Sequence, residues 1–352
     1  MRKKITAVFC VALLAVSMFS ACGKKPRIVE NYPVDKQSDV ITVVGDDATA
    51  PDELTDDDVI LDDVRYDPTR LNFVYADTVN DNVKSQAIAL LTAIDQCKES
   101  VEFDSSLDVS NNTVNLALNI AMLSNPIAEC VSIGTSDGYV YELQYVYEQI
   151  KMQEIRDKYV EEVEAALTAC VTTGQSKAES ARNLYKYEVE HFLIDVDNEF
   201  YEILGNDASG EKVEGTFTEE AVGNGKGGVF NINYYMLGLM TQIGVGTELI
   251  GSYGESIYDG SSATLKKIGE EYNQTIFSAI FIGEDPYFCD ITFDGLMYYE
   301  QLIDFPDSEC EIQFFGMSDE TRNKTWKQYY TSSLYNPVPS KSLPIPKCPN
   351  DL

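Results

Sequence analysis

Residues 225–245 read GKGGVFNINYYMLGLMTQIGV, a glycine-rich turn that runs into an apolar stretch and stops at Gly244. The apolar stretch predicts a helix over 229–243, whose first residues, Val229 and Phe230, carry no nucleophile. In many enzymes such a turn places a nucleophile at a helix N-terminus, where the helix dipole activates it. The stretch is therefore either an active-site scaffold without its chemistry or a core helix with a flexible entrance.

Amphipathic patterns lie before this stretch and strand-like runs lie after it. Apolar spacing and a Ser-x-x-Glu capping box predict helices over 83–101, 113–123 and 152–171 and from Ser176 onward. Strand-like runs cover 139–147, 247–253, 275–282 and 287–293. This order predicts an α+β fold in which a helical N-terminal part precedes a core helix packed on an antiparallel sheet.

The N-terminus has the pattern of an export signal. Three basic residues precede an apolar run over 5–19, which is short for a membrane span, and the run ends at Ser20-Ala21-Cys22. This ending resembles a bacterial lipobox and implies a signal peptide over 1–21, lipidation of Cys22 and an anchor on the extracytoplasmic face of the cell membrane. The alternative is an ordinary signal peptide in which Cys22 stands by chance.

The next segment and the overall charge are strongly acidic. Residues 22–70 are predicted to be a flexible tether, because 46–63 carries nine acidic residues and no basic one. The chain has 26 basic and 58 acidic residues, a net charge of −32, which becomes −35 when the three basic signal residues are removed. Such a surface disfavours nucleic acid and is compatible with cationic partners.

Cysteine and histidine usage limits the chemistry. Six cysteines follow the signal, namely Cys97, Cys130, Cys170, Cys289, Cys310 and Cys348, and an exported chain could pair them in 15 ways. No CxxC motif is present and the chain has one histidine, so neither a metal site nor a cofactor is predicted. The acidic run Asp195-Val-Asp197-Asn-Glu199 is the nearest approach to a calcium loop, but it lacks the glycine and the final glutamate.

Three segments carry a resemblance to a known family. Gly225-Lys226-Gly227-Gly228, the helix exit Ile243-Gly244-Val245 and the run Phe288-Cys289-Asp290-Ile291-Thr292-Phe293-Asp294 follow one another in this order. Their order and spacing resemble the transglutaminase-like cysteine hydrolase superfamily of bacterial surface proteins. The resemblance implies a papain-like core with a Cys-His-Asp triad, and it covers most of the chain after the tether.

The triad positions implied by this resemblance are Val229, Thr275 and Asp290, so that the thiol and the imidazole are replaced. No Cys, Ser or Thr lies between Glu219 and Met240 to act as a substitute nucleophile. The expected divisions are a helical region over 71–195 and a degenerate transglutaminase-like core over 196–352. Cys289, beside Asp290, is expected in the core or in a disulfide, and His191 is expected to be structural or exposed.

The resulting interpretation is a surface lipoprotein that is not an enzyme. It would act as a binding or structural module for an envelope peptide, protein or polysaccharide, with Asp290 either retained for structure or anchoring a cationic ligand. The alternative is a peptide or glycan hydrolase that uses carboxylates, the candidates being Glu219, Glu220, Asp290 and Asp294. A solute-binding lipoprotein fits less well, because repeated βα units are missing from the predicted order.

Overall fold

The computed structural model describes residues 65–194, 226–227, 229–256, 274–304, 308–324, 326–333 and 345–352. The predicted signal peptide with Cys22, most of the predicted tether, the Asp195–Glu199 run and the candidate carboxylates Glu219 and Glu220 lie outside the described residues. Within the described residues, no helix is both long enough and apolar enough to cross a membrane.

The first half of the described chain is mainly helical. Its helices are α1 (Phe73–Ala76), α2 (Asp81–Asp95), α3 (Asn111–Met122), α4 (Gln149–Cys170) and α5 (Lys177–His191), with a 3-10 turn over Pro126–Cys130. At the start of α5, the Ser176 side chain accepts a hydrogen bond from the Glu179 N–H, which is one of the two bonds of the predicted capping box.

Helix α2 is shorter than predicted, and a small sheet follows it. Cys97 adopts a left-handed φ of 47°, and the Lys98 N–H bonds to the Ala93 carbonyl, a Schellman arrangement that ends the helix. The predicted helix to residue 101 is therefore wrong at its C-terminal end. The chain instead continues into an antiparallel sheet of order β1-β3-β2, with β1 (Ser100–Glu102), β2 (Val131–Asp137) and β3 (Val140–Tyr145).

The second half contains the core helix and the larger sheet. Its elements are β4 (Leu193–Ile194), β5 (Lys226–Gly227), α6 (Val229–Gln242), β6 (Gly246–Ser256), β7 (Gln274–Ile282), β8 (Asp285–Cys289), α7 (Ile291–Asp304), α8 (Asp319–Arg322) and β9 (Trp326–Ser333). Strands β4 and β5 pair in parallel. The four-stranded sheet has the order β8-β7-β6-β9, and every pairing in it is antiparallel.

Helix α6 lies at the centre of the molecule. Every residue from Ile232 to Ile243 is buried, because the helix contacts β6 and β7 on one side and other helices elsewhere. It ends at Gly244, whose φ of 68° allows the Val245 N–H to bond to the Met240 carbonyl. The predicted α+β fold, with a core helix packed on an antiparallel sheet, is confirmed.

One hydrophobic core joins the two halves. Its buried side chains run from Tyr75 in α1 to Cys348 near the last described residue, and they include members on both sides of residue 195. The predicted helical region and the predicted core domain therefore pack as one continuous interior.

The strand predicted over 287–293 is wrong in its second half. Strand β8 ends at Cys289, and α7 begins at Ile291. The Asp290 carbonyl accepts hydrogen bonds from the N–H groups of Phe293 and Asp294, which starts the helix at the point where alternation predicted more strand. Asp290 consequently stands at the N-cap of α7.

Candidate functional site

A buried polar network lies one helical turn after Val229. The Asn233 amide nitrogen donates to Thr292 Oγ1 at 3.0 Å and to the Ile276 carbonyl at 3.4 Å. Its amide oxygen accepts from the Ser278 hydroxyl at 3.3 Å. Asn233 and Ser278 are both fully buried, so these bonds satisfy groups that water cannot reach.

This network brings together the three segments that carry the predicted triad positions. Val229 is the first residue of α6, and Asn233 follows it by one turn. Thr275 lies in β7 immediately before Ile276, and Asp290 lies two residues before Thr292. The start of the core helix, strand β7 and the start of α7 therefore meet in one region of the interior.

Asp290 is 3 % exposed and is held by its own segment and by an arginine. Its N–H donates to the Phe314 carbonyl at 2.8 Å, and Oδ1 accepts from the Phe293 N–H at 3.4 Å. Oδ2 lies 3.9 Å from a guanidinium nitrogen of Arg322. Burial raises the pKa of Asp290 to about 7, and the Arg322 charge offsets this only in part.

Asp294, one turn further along α7, is completely buried and accepts three hydrogen bonds. The Tyr185 hydroxyl donates to Oδ2 at 2.6 Å, and the N–H groups of Gln313 and Phe314 donate at 2.8 and 3.0 Å. Burial raises the pKa of Asp294 to about 6, while the Tyr185 hydrogen bond lowers it. This carboxyl group ties α5, α7 and the segment before α8 together.

Arg322, the last residue of α8, is 1 % exposed. Its Cζ lies 3.5 Å from the centroid of the Phe277 ring, so the guanidinium stacks on an aromatic face while it points to Asp290. Burial lowers the pKa of Arg322 to about 10, and the arginine therefore keeps its positive charge at neutral pH.

Two other residues named from the sequence lie where they were expected. Cys289 is fully buried, and burial raises the pKa of its thiol, which is the opposite of what a nucleophile needs. His191 is exposed at the end of α5, where its ring stacks on Tyr187 at 3.9 Å. All six cysteines of the described chain are buried, and none of them forms a disulfide there.

Metal chemistry gains no support from the described part of the chain. It contains no group of three or more His, Cys, Asp or Glu side chains arranged to hold a metal ion. The buried cluster of Asp290, Asp294, Tyr185, Phe277 and Arg322 fixes the relative positions of the elements around it. We call these five residues the buried charge cluster.

Sequence reasoning missed two members of this region. Asn233 could have been identified from the sequence, because it is a polar residue inside an apolar helix. Arg322 left none, because its partner Asp290 is 32 positions away and no local pattern joins them.

The region thus belongs to an α+β protein with a central helix on an antiparallel sheet and a charge cluster sealed inside. Scans of the sequence against known protein families and against curated proteins gave no match.

Proposed function

We propose that the chain is a bacterial surface lipoprotein, anchored through Cys22, whose transglutaminase-like domain is catalytically inactive. The domain acts as a binding or structural module for an envelope peptide, protein or polysaccharide. The lipobox-like N-terminus, the acidic spacer and the ordered motifs around the core helix support this proposal.

The environment of Asp290 is the observation that carries the proposal. In an active member of the superfamily, this carboxylate would orient an imidazole that activates a thiol. Here it caps α7 and faces Arg322, while the corresponding thiol and imidazole positions hold Val229 and Thr275. The aspartate is engaged in the interior, and the groups that would attack a substrate are replaced.

The hydrolase alternative gains no support from the described carboxylates. Glycoside hydrolysis needs two carboxyl groups roughly 5–10 Å apart on either side of a substrate. Asp290 and Asp294 are instead 3 % and 0 % exposed, and Asp294 already accepts three hydrogen bonds. Both carboxyl groups are therefore enclosed by the surrounding protein in the described structure.

Reactivation tests the inactive triad. The double variant Val229→Cys with Thr275→His should gain a thiol that alkylating reagents modify faster than the thiol of Val229→Cys alone, and peptide or amide hydrolysis should be measured in parallel. The unaltered chain should show no hydrolysis in the same assay. Native hydrolysis that persists in Asp290→Ala would place the activity elsewhere and remove the basis of the proposal.

The anchor has a separate test. In the bacterial host, Cys22→Ser should release the exported protein from the membrane fraction, and mass spectrometry of the unaltered protein should find lipid on Cys22. An exported Cys22→Ser variant that stays with the membrane would contradict the lipoprotein assignment.

The ligand is the third part to test. The Cys22→Ser protein, immobilised and exposed to solubilised cell envelope, should retain a peptide, protein or polysaccharide. The matched control is the same protein with Asp290→Asn, since a ligand that uses the region around Asp290 should be retained less. Equal retention by both would place binding outside this region.

A further inference from the structure

A third buried carboxyl group lies on α5, outside the buried charge cluster. Glu188 is 1 % exposed, and neither of its carboxylate oxygens has a hydrogen-bond partner in the part of the chain that the structure describes. Burial raises the pKa of Glu188 well above its usual value, although the approach of the Met236 N–H on α6 favours the charged form. Glu188 is therefore an acid held in the interior without the hydrogen bonds that satisfy Asp294.

The groups that face Glu188 from the neighbouring helices are uncharged. Helices α4 and α6 contact α5 and each other, and they contribute Tyr159 and Tyr235, whose rings meet edge to face with centroids 6.1 Å apart. Burial raises the pKa of both hydroxyls well above the usual value, and the nearby charge of Glu188 adds to this. The Tyr159 hydroxyl also has no hydrogen-bond partner among the described residues.

No cation offsets a charge on Glu188. Within the described ranges, no Lys, Arg or His side chain contributes to its pKa. The cations nearest in sequence and on the facing helix interact with other carboxylates, namely Lys186 and His191 with Glu190, Arg182 with Asp294, and Arg156 with Asp95. The remaining ionisable groups of this region are acids, namely Glu162 near Tyr235 on α4 and Asp294 beside Tyr185 on α7.

An ionised Glu188 would thus be a buried charge that has lost its hydration and gained no counter-ion, which is costly. The protonated form avoids this cost, because it carries no net charge and its O–H group can donate a hydrogen bond. This contrasts with Asp290, whose charge faces the Arg322 guanidinium.

We propose that Glu188 is a proton-binding site that makes the packing of α5 between α4 and α6 sensitive to pH: the three helices pack stably while Glu188 holds a proton, and the folded protein loses stability as the proton leaves. The site does not depend on the proposed binding function. On an exported protein it would make the stability of the domain respond to the pH outside the cell, and this consequence alone rests on the proposed function.

The direction follows from where the proton is bound more tightly. Because the pKa of Glu188 is raised in the folded state, its contribution to stability is complete below the unfolded value and is lost as pH rises through the folded value. Between those two values, one group of this kind raises the unfolding equilibrium constant about tenfold per pH unit.

Glu188→Gln tests the site in the full chain, because glutamine keeps the shape of the side chain and cannot ionise. Urea unfolding should be measured at intervals from pH 5 to pH 9. The unfolding equilibrium constant of the unaltered chain should rise faster with pH than that of Glu188→Gln, by a difference that approaches about tenfold per pH unit. The matched control is Glu161→Gln at an exposed position of α4, which should follow the unaltered chain.

Infrared spectroscopy detects the proton directly. At pH 7, the difference spectrum between the unaltered chain and Glu188→Gln should contain the carbonyl band of a protonated carboxyl group. Asp290 and Asp294 are present in both proteins, so that their bands cancel.

Two outcomes overturn the proposal. One is an unfolding equilibrium constant that changes with pH in parallel in the unaltered chain and in Glu188→Gln, and the other is a difference spectrum without the band of a protonated carboxyl group. If Glu188→Gln does not fold, Glu188→Leu replaces it in both measurements, because leucine is similar in size and buries no polar atom. The same two outcomes then decide.

Discussion

Tyr185→Phe is the most informative single perturbation of the buried charge cluster. It removes one hydroxyl group and changes little else, since the ring keeps its contact with Phe315. The hydroxyl donates to Asp294 at 2.6 Å, and both side chains are completely buried. The variant therefore tests whether Asp294 is a charged acceptor in the folded protein.

The expected loss depends on pH because the hydrogen bond favours the charged form of Asp294. The pKa of Asp294 is raised to about 6 by burial, so the carboxyl group is ionised at pH 8 and protonated at pH 4.5. A hydrogen bond to a charged group contributes about 1.5–3 kcal/mol, and one between neutral groups about 0.5–1.5 kcal/mol. Tyr185→Phe should lower the free energy of unfolding by about 2 kcal/mol at pH 8 and by about 1 kcal/mol at pH 4.5.

The direction of this pH dependence follows from the difference in proton binding between the folded and unfolded states. A carboxyl group with a raised pKa in the folded state contributes stability that is present below the unfolded pKa and is lost as pH rises through the folded pKa. Removal of the Tyr185 hydroxyl raises the pKa of Asp294 further, so the variant should lose stability more steeply than the unaltered protein as pH rises from 4 toward 8.

Urea unfolding at the two pH values measures the effect. The matched control is Tyr234→Phe, because the Tyr234 hydroxyl donates to the uncharged Met122 carbonyl and its loss should cost the same at both pH values. If Tyr185→Phe costs the same at pH 4.5 and at pH 8, Asp294 is not a charged acceptor and the reasoning is refuted.

Three further substitutions test the same region by urea unfolding. Asp290→Asn should remove part of the decline in stability between pH 4 and pH 8, because burial raises the pKa of Asp290 to about 7. The difference of about 3 between the folded and unfolded pKa values limits this effect to about 4 kcal/mol. An unchanged slope of stability against pH would argue against this reasoning. Asn233→Ala should cost about 2–4 kcal/mol through lost buried hydrogen bonds, whereas the exposed control Asn115→Ala should stay within about 0.5 kcal/mol. Gly238→Ala should cost about 1–3 kcal/mol despite better helix propensity, because the added Cβ would lie 2.8 Å from Pro126 Cδ; a more stable variant would contradict that packing.

Much of the fold was predictable from long amphipathic segments and from glycines that end helices. Helix α4 lies within three residues of its predicted bounds, because its apolar positions repeat with the helical period over 22 residues. The end of α6 was predictable for another reason, since Gly244 supplies the left-handed conformation that closes the helix. In both cases the deciding interactions are local in sequence.

The boundary at Asp290 was not predictable from alternation alone. The run from Phe288 to Phe293 alternates in a way that favours a strand, yet an aspartate followed by residues that can enter a first turn is also a helix N-cap signal. The choice is made by tertiary contacts, since the Asp290 N–H bonds to the distant Phe314 carbonyl. Strand β1 was missed because three residues are too few to show a period.

The candidate site was predictable in its segments and not in its electrostatics. The order of motifs pointed to Val229, Thr275 and Asp290, and the structure brings their three segments together. The burial of Arg322 against Asp290 depends on a long-range packing of α8, which no local pattern encodes. Glu188 is a second charged residue whose burial was not predicted, although it shares the apolar side of α5 with Leu184. Burial raises the pKa of Glu188 well above its usual value.

The raised pKa of Asp290 bears on why an aspartate stands at this position. An N-cap needs only an acceptor oxygen, and asparagine or serine caps a helix about as well as aspartate. Because burial raises the pKa to about 7 in spite of the Arg322 charge, ionised Asp290 destabilises the folded protein at neutral pH relative to an uncharged cap. Capping therefore accounts for the oxygen atoms of Asp290, and its charge offsets that of the buried Arg322 guanidinium.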